Sequence, residues 1–282
     1  MKKYLFFLFF LTTFVFAEKP IVLVSILPQQ EFVEKIAKDK VIVKAIVEKG
    51  ASPHNYEPTP KQLLYISKAR IWLAIGIDFE KALISKVKSL YPNVRIVEIT
   101  NGVKYRTLEE HHHEDEKEEH STLDPHIWLG YEQVKTILSN TLINLKQISP
   151  ENEEFFEKNY KEYLNEIDIT FKEMKQKMKP LEGKTIFVYH PAFGYFFDNF
   201  GITQRAFEVR GKEPTQKEIL SLIKEAKKEN AKVIFVQKQF SKNAAKIIAK
   251  EIGGKVIEID PLEKKWLENI KYMGNIIIEA NK

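Results

Sequence analysis

The fold is decided by residues 149–179, which read SPENEEFFEKNYKEYLNEIDITFKEMKQKMK. Apolar side chains recur in this stretch at steps of three or four residues, as they do along one face of an amphipathic α-helix. The members of this stripe are Phe156, Tyr160, Leu164, Ile167, Phe171, Met174 and Met178. At 1.5 Å per residue, about 28 residues would span roughly 40 Å. The spacing therefore predicts one long, unbroken helix that can join two lobes as a stiff strut.

Short apolar segments alternate with helical patterns on both sides of this stretch. The predicted strands before it are 21–27, 41–47, 71–77 and 95–99, and those after it are 185–189, 232–237 and 255–259. Such β-α alternation is typical of a parallel sheet that is covered by helices on both faces. We therefore predict an α/β protein of two lobes, each a mostly parallel sheet with flanking helices, joined by one long linking helix.

The same pattern predicts where the parts of the chain begin and end. The N-terminal lobe is assigned residues 18–130, the helical segment with the linking helix residues 131–182, and the C-terminal lobe residues 183–282. Residues 1–17 read as a signal peptide, with a short basic region before an apolar run. This run is too short for a comfortable membrane span, and the alternative to a signal peptide is an uncleaved anchor. We therefore expect a mature chain in a bacterial periplasm, without stable membrane insertion.

Charge and cysteine content exclude several classes of function. Without the two lysines of the predicted signal peptide, the formal net charge falls from +5 to +3. A chain this near to charge balance, with no compact basic patch, gives no reason to expect a nucleic-acid partner. The sequence contains no cysteine, which excludes thiol catalysis, thiolate metal sites and a lipid anchor on cysteine. We expect a monomer that is not a lipoprotein.

Histidine is concentrated in one acidic stretch. Five of the seven histidines lie between His111 and His126, and residues 109–120 contain no apolar side chain. A segment of this composition cannot join a core, and its imidazoles and carboxylates suit a divalent metal. We predict that residues 109–121 form an accessory metal-collecting loop that binds through His111, His112, His113 and His120. The alternative is an ordinary charged surface loop.

Four other residues with metal-binding side chains follow predicted strands, where open α/β sheets bind their ligands. His54 lies in the loop after the second strand, His126 ends the segment after the fourth, and His190 and Asp260 directly follow strands of the second lobe. Three imidazoles and one carboxylate suit tetrahedral Zn²⁺. We predict that these four residues bind one metal ion between the lobes. The alternatives are a structural role for His126 and a helix-capping role for Asp260.

Two glutamates are candidates for orienting the metal ligands. Glu57 lies three residues after His54, and Glu208 lies within residues 202–209, which are predicted to be extended in the second lobe. Either carboxylate can accept the N–H of a ligand imidazole and so fix the orientation of the ring. The alternative for both is an ordinary surface or loop hydrogen bond.

Five short motifs occur in an order that resembles a known family. They are GASPHNYEP at 50–58, DPHIW at 124–128, HPAFGYF at 190–196, GKEPT at 211–215 and IDPL at 259–262. Together they resemble the zinc- and manganese-binding family of ABC-transporter substrate-binding proteins, and within it the periplasmic zinc-uptake members. The resemblance implies two lobes, a rigid linking helix and one metal ion in the cleft. His54, His126 and His190 would be ligands, with Asp260 as a fourth ligand or close neighbour.

The resemblance also implies a function without catalysis. The protein would capture Zn²⁺ in the periplasm and deliver it to an inner-membrane ABC permease and its ATPase subunit. A third histidine favours zinc because imidazole suits zinc better than manganese, with Mn²⁺ and Cd²⁺ as alternative ions. Two other functions stay open. One is a zinc-dependent hydrolase in which Glu57 serves as the base, and the other is a metal-binding adhesin of the same fold.

Overall fold

The structure is a computed structural model that describes residues 18–108, 123–208, 215–240 and 242–282. Three predicted features lie outside these residues. They are the signal peptide, the histidines of the metal-collecting loop (His111, His112, His113 and His120), and residues 211–214 of the fourth motif. Within the described residues, no helix is both long enough and apolar enough to cross a membrane.

The N-terminal half forms a parallel four-stranded sheet in the order β2-β1-β3-β4. Its strands are β1 (Ile21–Val24), β2 (Ile42–Ala45), β3 (Ile71–Ala74) and β4 (Arg95–Glu98), and its helices are α1 (Leu27–Ala37), α2 (Pro60–Ser67) and α3 (Asp78–Leu90). The first strand is shorter than predicted, because Pro28 lies in the first turn of α1 and the side-chain oxygen Oε1 of Gln29 accepts the backbone N–H groups of Ser25 and Ile26.

Two helices connect the halves, and the second is the predicted long helix. α4 spans Tyr131–Ile148 and α5 spans Glu153–Met178, with short 3-10 turns at Pro150–Asn152 and Lys179–Leu181 on either side of α5. α5 has 26 residues, which corresponds to about 39 Å. It packs against α1 and α4 of the N-terminal half and against α9, the last helix of the C-terminal half. One element therefore supports both halves.

The buried face of α5 differs from the predicted stripe in its first turns. Tyr160 and Leu164 are only partly buried, whereas Asn159 and Tyr163 are buried. The reason is polar contact with α1. The Asn159 amide donates to the carbonyl of Ile36 (2.9 Å), and the Tyr163 hydroxyl donates to Glu31 (2.9 Å). A stripe of apolar residues alone cannot reveal such contacts.

The C-terminal half repeats the topology of the first. Its parallel sheet has the order β6-β5-β7-β8. The strands are β5 (Thr185–Val188), β6 (Thr203–Ala206), β7 (Val233–Gln237) and β8 (Lys255–Ile259), and the helices are α6 (Gly194–Asp198), α7 (Gln216–Lys228), α8 (Lys242–Glu251) and α9 (Trp266–Ala280). Two parallel sheets with flanking helices and a long central helix confirm the predicted fold class. The residue limits assigned to the lobes stay predictions.

Shortening one buried side chain of α5 should destabilise the protein. Ile167 is fully buried, and Ile169 on the same helix is 49% exposed. We expect Ile167→Ala to lower the free energy of unfolding by about 2–5 kcal/mol, because it leaves a cavity in the core. Ile169→Ala is the matched control and should change that free energy by less than about 0.5 kcal/mol. Urea unfolding followed by circular dichroism measures both, and equal losses would contradict the assigned faces of α5.

Candidate metal centre

Three of the four predicted ligands come together in the structure. His54, His126 and His190 each offer a ring nitrogen, and these three atoms lie within 4.8 Å of one another. His190 Nε2 lies 3.1 Å from His54 Nε2 and 3.3 Å from His126 Nε2. With the zinc–nitrogen distance of about 2.05 Å, two ligands of a tetrahedral ion would be about 3.3 Å apart. The spacing around His190 therefore suits one small metal ion.

A buried carboxylate lies behind two of the three rings. His190 Nδ1 is 2.6 Å from Glu208 Oε2, and His126 Nδ1 is 2.7 Å from Asp124 Oδ1. An ionised carboxylate can only accept a hydrogen bond, so in each pair the imidazole Nδ1 is the donor. The Nε2 atom of each neutral ring then carries a lone pair. A carboxylate in this position also fixes the ring and raises its basicity as a ligand.

The two Nε2 atoms of His126 and His190 therefore face each other as acceptors. Neither can donate a hydrogen bond to the other across their 3.3 Å separation while both rings are neutral. Two lone pairs at this distance repel each other, and a cation between them would turn this repulsion into two attractions. The arrangement is thus built for a positive ion rather than for a hydrogen bond between the rings.

Local structure explains where each ring points. His190 lies two residues after the end of β5, and the ring of Phe240 stacks on it at 4.5 Å between centroids. His126 precedes a short turn, Ile127–Leu129, whose side chains are buried and anchor it. His54 lies in the long loop between β2 and α2 and is only partly buried. The two buried rings are therefore held more firmly than the third.

Burial favours the neutral form of two of the three imidazoles. Burial, together with the neighbouring charges of His190 and His126, lowers the pKa of His54 to about 4. Burial also lowers the pKa of His190, against the opposing effect of the Glu208 carboxylate. A histidine must be neutral to bind a metal ion. These two rings are therefore ready for binding at neutral pH without losing a proton.

The three histidines line a cleft of about 790 Å³. Its other lining residues include Asp78 and Glu98 at the carboxyl ends of the N-terminal strands, together with Leu108 and Leu123. Carboxylates on the wall of a cleft attract cations and raise their local concentration. The cleft therefore combines carboxylates on its wall with a cluster of three imidazoles.

Asp260 is not part of the converging group of donor atoms in the described residues. Its Oδ1 accepts hydrogen bonds from the Gln239 side chain (3.0 Å) and the Leu262 N–H (2.9 Å), and its Oδ2 lies 3.8 Å from Lys238 Nζ. In this conformation the carboxylate stabilises the start of the last loop. To serve as a fourth ligand it would have to exchange these contacts for the metal, and that role stays a prediction.

The two glutamates named from the sequence differ in position. Glu208 is buried and lies against His190, whereas Glu57 is exposed on the loop that carries His54. Sequence reasoning assigned no role to Asp124 or Phe240. The sequence could have identified Asp124, because an aspartate two residues before a candidate histidine ligand can accept a hydrogen bond from the histidine ring. No sequence pattern could have identified Phe240, since its stacking on His190 depends on the position of the β7–α8 loop.

Asp124 is the most deeply buried acid of the site. Burial raises the pKa of its carboxyl group, but the His126 ring, the His126 N–H and the Arg106 guanidinium more than offset this, so the pKa is lowered overall. The carboxylate is therefore ionised at neutral pH, as its hydrogen bond to His126 requires.

Comparison with known proteins points to one family. The family model described as zinc-uptake complex component A, periplasmic, matches residues 22–281. The high-affinity zinc uptake system protein ZnuA of Bacillus subtilis (strain 168) is 30% identical over 251 residues, covering 86% of this chain and 78% of that protein. The zinc-binding protein AdcA of Streptococcus pyogenes is 28% identical over 262 residues, and the match covers 86% of this chain but 50% of AdcA.

A solved structure agrees over nearly the whole chain. A crystal structure of ZnuA is similar with a TM-score of 0.86 and 33% sequence identity. The match covers 94% of this chain and 100% of that one.

Zinc binding at pH 6 should release few protons. Three imidazoles with the ordinary pKa of 6.5 would together carry about two protons at this pH, which must leave before metal binds. Because the pKa values of His54 and His190 are lowered, we expect clearly fewer than two. Calorimetry in buffers of different ionisation enthalpy measures this number. A titration at pH 8 is the control, and release of two or more protons at pH 6 would contradict the lowered values.

Proposed function

Because this chain belongs to the family of periplasmic zinc-uptake complex component A proteins, we propose that it captures Zn²⁺ and delivers it to an ABC permease. The observation that carries the proposal is the pair of Nε2 atoms of His126 and His190, which face each other at 3.3 Å with a carboxylate behind each ring. His54 would be the third ligand. Asp260 or a water molecule would complete a tetrahedral shell.

The donor set supports zinc as the transported ion. All three converging ligands are imidazoles, which suit zinc, copper, iron and nickel, whereas carboxylate and carbonyl oxygens suit manganese and magnesium. We therefore expect Zn²⁺ to bind more tightly than Mn²⁺, with Cd²⁺ as a competitor. Glu208, and Glu57 with less structural support, would orient ligand rings.

The remaining parts of the proposal rest on the sequence and on membership of the family. The protein would be exported by its signal peptide, residues 1–17, and would act as a periplasmic monomer. Its partners would be the inner-membrane permease and the ATPase subunit of the same transporter. No chemical reaction on the protein is part of this function. In the hydrolase alternative Glu57 would be the general base, but the exposed position of Glu57 does not favour that role.

Removing either of two ligands should abolish the tight zinc site. We expect His54→Ala and His190→Ala each to weaken Zn²⁺ binding at pH 7.5 by more than about 100-fold, which is the upper range for residues that only orient a ligand. Calorimetry on the metal-free protein, residues 18–282, measures this loss. His120→Ala is the control, since it removes a histidine of the predicted collecting loop. Tight binding that survives both cleft substitutions would refute the proposed site.

The predicted collecting loop has its own test. Deletion of residues 111–120 should remove additional weak zinc sites and leave one tight site, because the cleft ligands lie elsewhere in the chain. The number of sites and their affinities come from the same calorimetric titration. Loss of the tight site in the deletion variant would show that the loop, rather than the cleft, holds the transported ion.

A further inference from the structure

Arg106 joins the two halves of the chain next to the metal centre. It follows β4 in the N-terminal half, and its side chain is 18% exposed. Its Nη1 lies 3.1 Å from Asp124 Oδ2, and its Nε lies 2.9 Å from Asp198 Oδ2 on α6 of the C-terminal half. One guanidinium therefore holds a carboxylate from the segment that carries His126 and another from the helix that follows His190.

Asp124 divides its two oxygens between Arg106 and His126. Oδ2 accepts from the guanidinium, while Oδ1 accepts from the backbone N–H of His126 (2.9 Å) and from its ring Nδ1 (2.7 Å). The carboxylate is fully buried, and a buried charge is costly unless it is paired. Arg106 supplies the opposite charge. It thereby allows Asp124 to stay ionised and to hold the ring of His126 with Nε2 toward the cleft.

Gly194 leaves the space that the guanidinium occupies. A Cβ atom at position 194 would lie 1.7 Å from Arg106 Nη1 and 2.4 Å from Arg106 Cζ. The three atoms nearest to this Cβ position all belong to Arg106. Glycine is therefore required here because a larger residue would overlap the guanidinium. The next residue, Tyr195, contacts the backbone of both Arg106 and Asp124. Its hydroxyl accepts a hydrogen bond from the backbone N–H of Arg106 (3.0 Å) and donates one to the backbone carbonyl of Asp124 (2.9 Å).

We propose that Arg106 is a positioning residue for metal binding, which fixes His126 opposite His190 by linking Asp124 to Asp198, and that Gly194 reserves the space for its guanidinium. The inference rests on the proposed function, since it concerns the same metal centre. Arginine suits this task better than lysine, because its planar fork presents several N–H donors in fixed directions and can serve two carboxylates at once.

The test is a double-mutant cycle on zinc affinity. We expect Arg106→Ala and Gly194→Ala each to weaken Zn²⁺ binding about 10–100-fold, the range for residues that orient a ligand. The double variant should bind about as weakly as Arg106→Ala alone, because the added methyl group then displaces nothing. Arg205→Ala is the matched control. It breaks a different arginine–carboxylate pair, with Arg205 Nε 2.8 Å from Glu225 Oε1, and should leave zinc affinity unchanged.

A second readout separates positioning from general stability. Nitrogen-15 NMR of the metal-free protein reports which ring nitrogen of each histidine carries the proton. In wild type we expect the proton of His126 on Nδ1. In Arg106→Ala a substantial fraction should move to Nε2, while His190 keeps its proton toward Glu208. If Arg106→Ala does not fold, Asp198→Ala tests the same link, because it removes the acceptor of the Arg106 Nε–H and this side chain is 54% exposed.

Three results would overturn the inference. They are unchanged affinity in folded Arg106→Ala or Asp198→Ala, additive losses in the double variant, and lost affinity with an unaltered His126 tautomer. Failure of the proposed function looks different. In that case wild-type protein itself does not bind Zn²⁺ tightly, while the tautomer measurement on metal-free protein still tests the role of Arg106.

Discussion

The candidate metal centre depends on two imidazole lone pairs that face each other and that one cation can satisfy together. His126 and His190 present Nε2 lone pairs to each other at 3.3 Å, because Asp124 and Glu208 take the opposite ring nitrogens as donors. Each carboxylate is buried, and each therefore favours a positive charge close to its imidazole. In the proposed function, a metal ion between the rings would satisfy both lone pairs and both carboxylates. The two acids would then contribute to what the cleft binds, although only the imidazoles would touch the ion.

The repeated fold makes this arrangement possible. Both sheets are parallel and have the same strand order, so in each half the chain emerges from the carboxyl ends of its strands at one edge. His54 emerges from the first sheet and His190 from the second, and α5 packs against helices of both halves. Residues that are 136 positions apart in sequence, His54 and His190, therefore come within hydrogen-bond distance. By packing against helices of both halves, α5 helps to fix the distance between His54 and His190.

Much of this could be predicted from sequence because the relevant signals are local. β-α alternation predicts parallel sheets, and the strand-end rule brought His54, His126 and His190 together as candidates. Other features depend on tertiary contacts. The Asp260 carboxylate is engaged by the side chain of Gln239, 21 residues away, which no spacing reveals. Asn159 is buried on α5 because it reaches the carbonyl of Ile36. A polar residue can be assigned to a core only when its partner is known.

The three imidazoles are not equivalent, and the difference suits a protein that must give up its ion. His126 and His190 are 4% and 3% exposed, and both rings are oriented by carboxylates before any metal arrives. Such preorganisation reduces the entropy lost on binding and favours high affinity. His54 lies on a long loop and is partly exposed. Movement of this loop alone would remove one ligand and leave the buried pair intact. In the proposed function, affinity would therefore come mainly from the buried pair, and release would begin at His54.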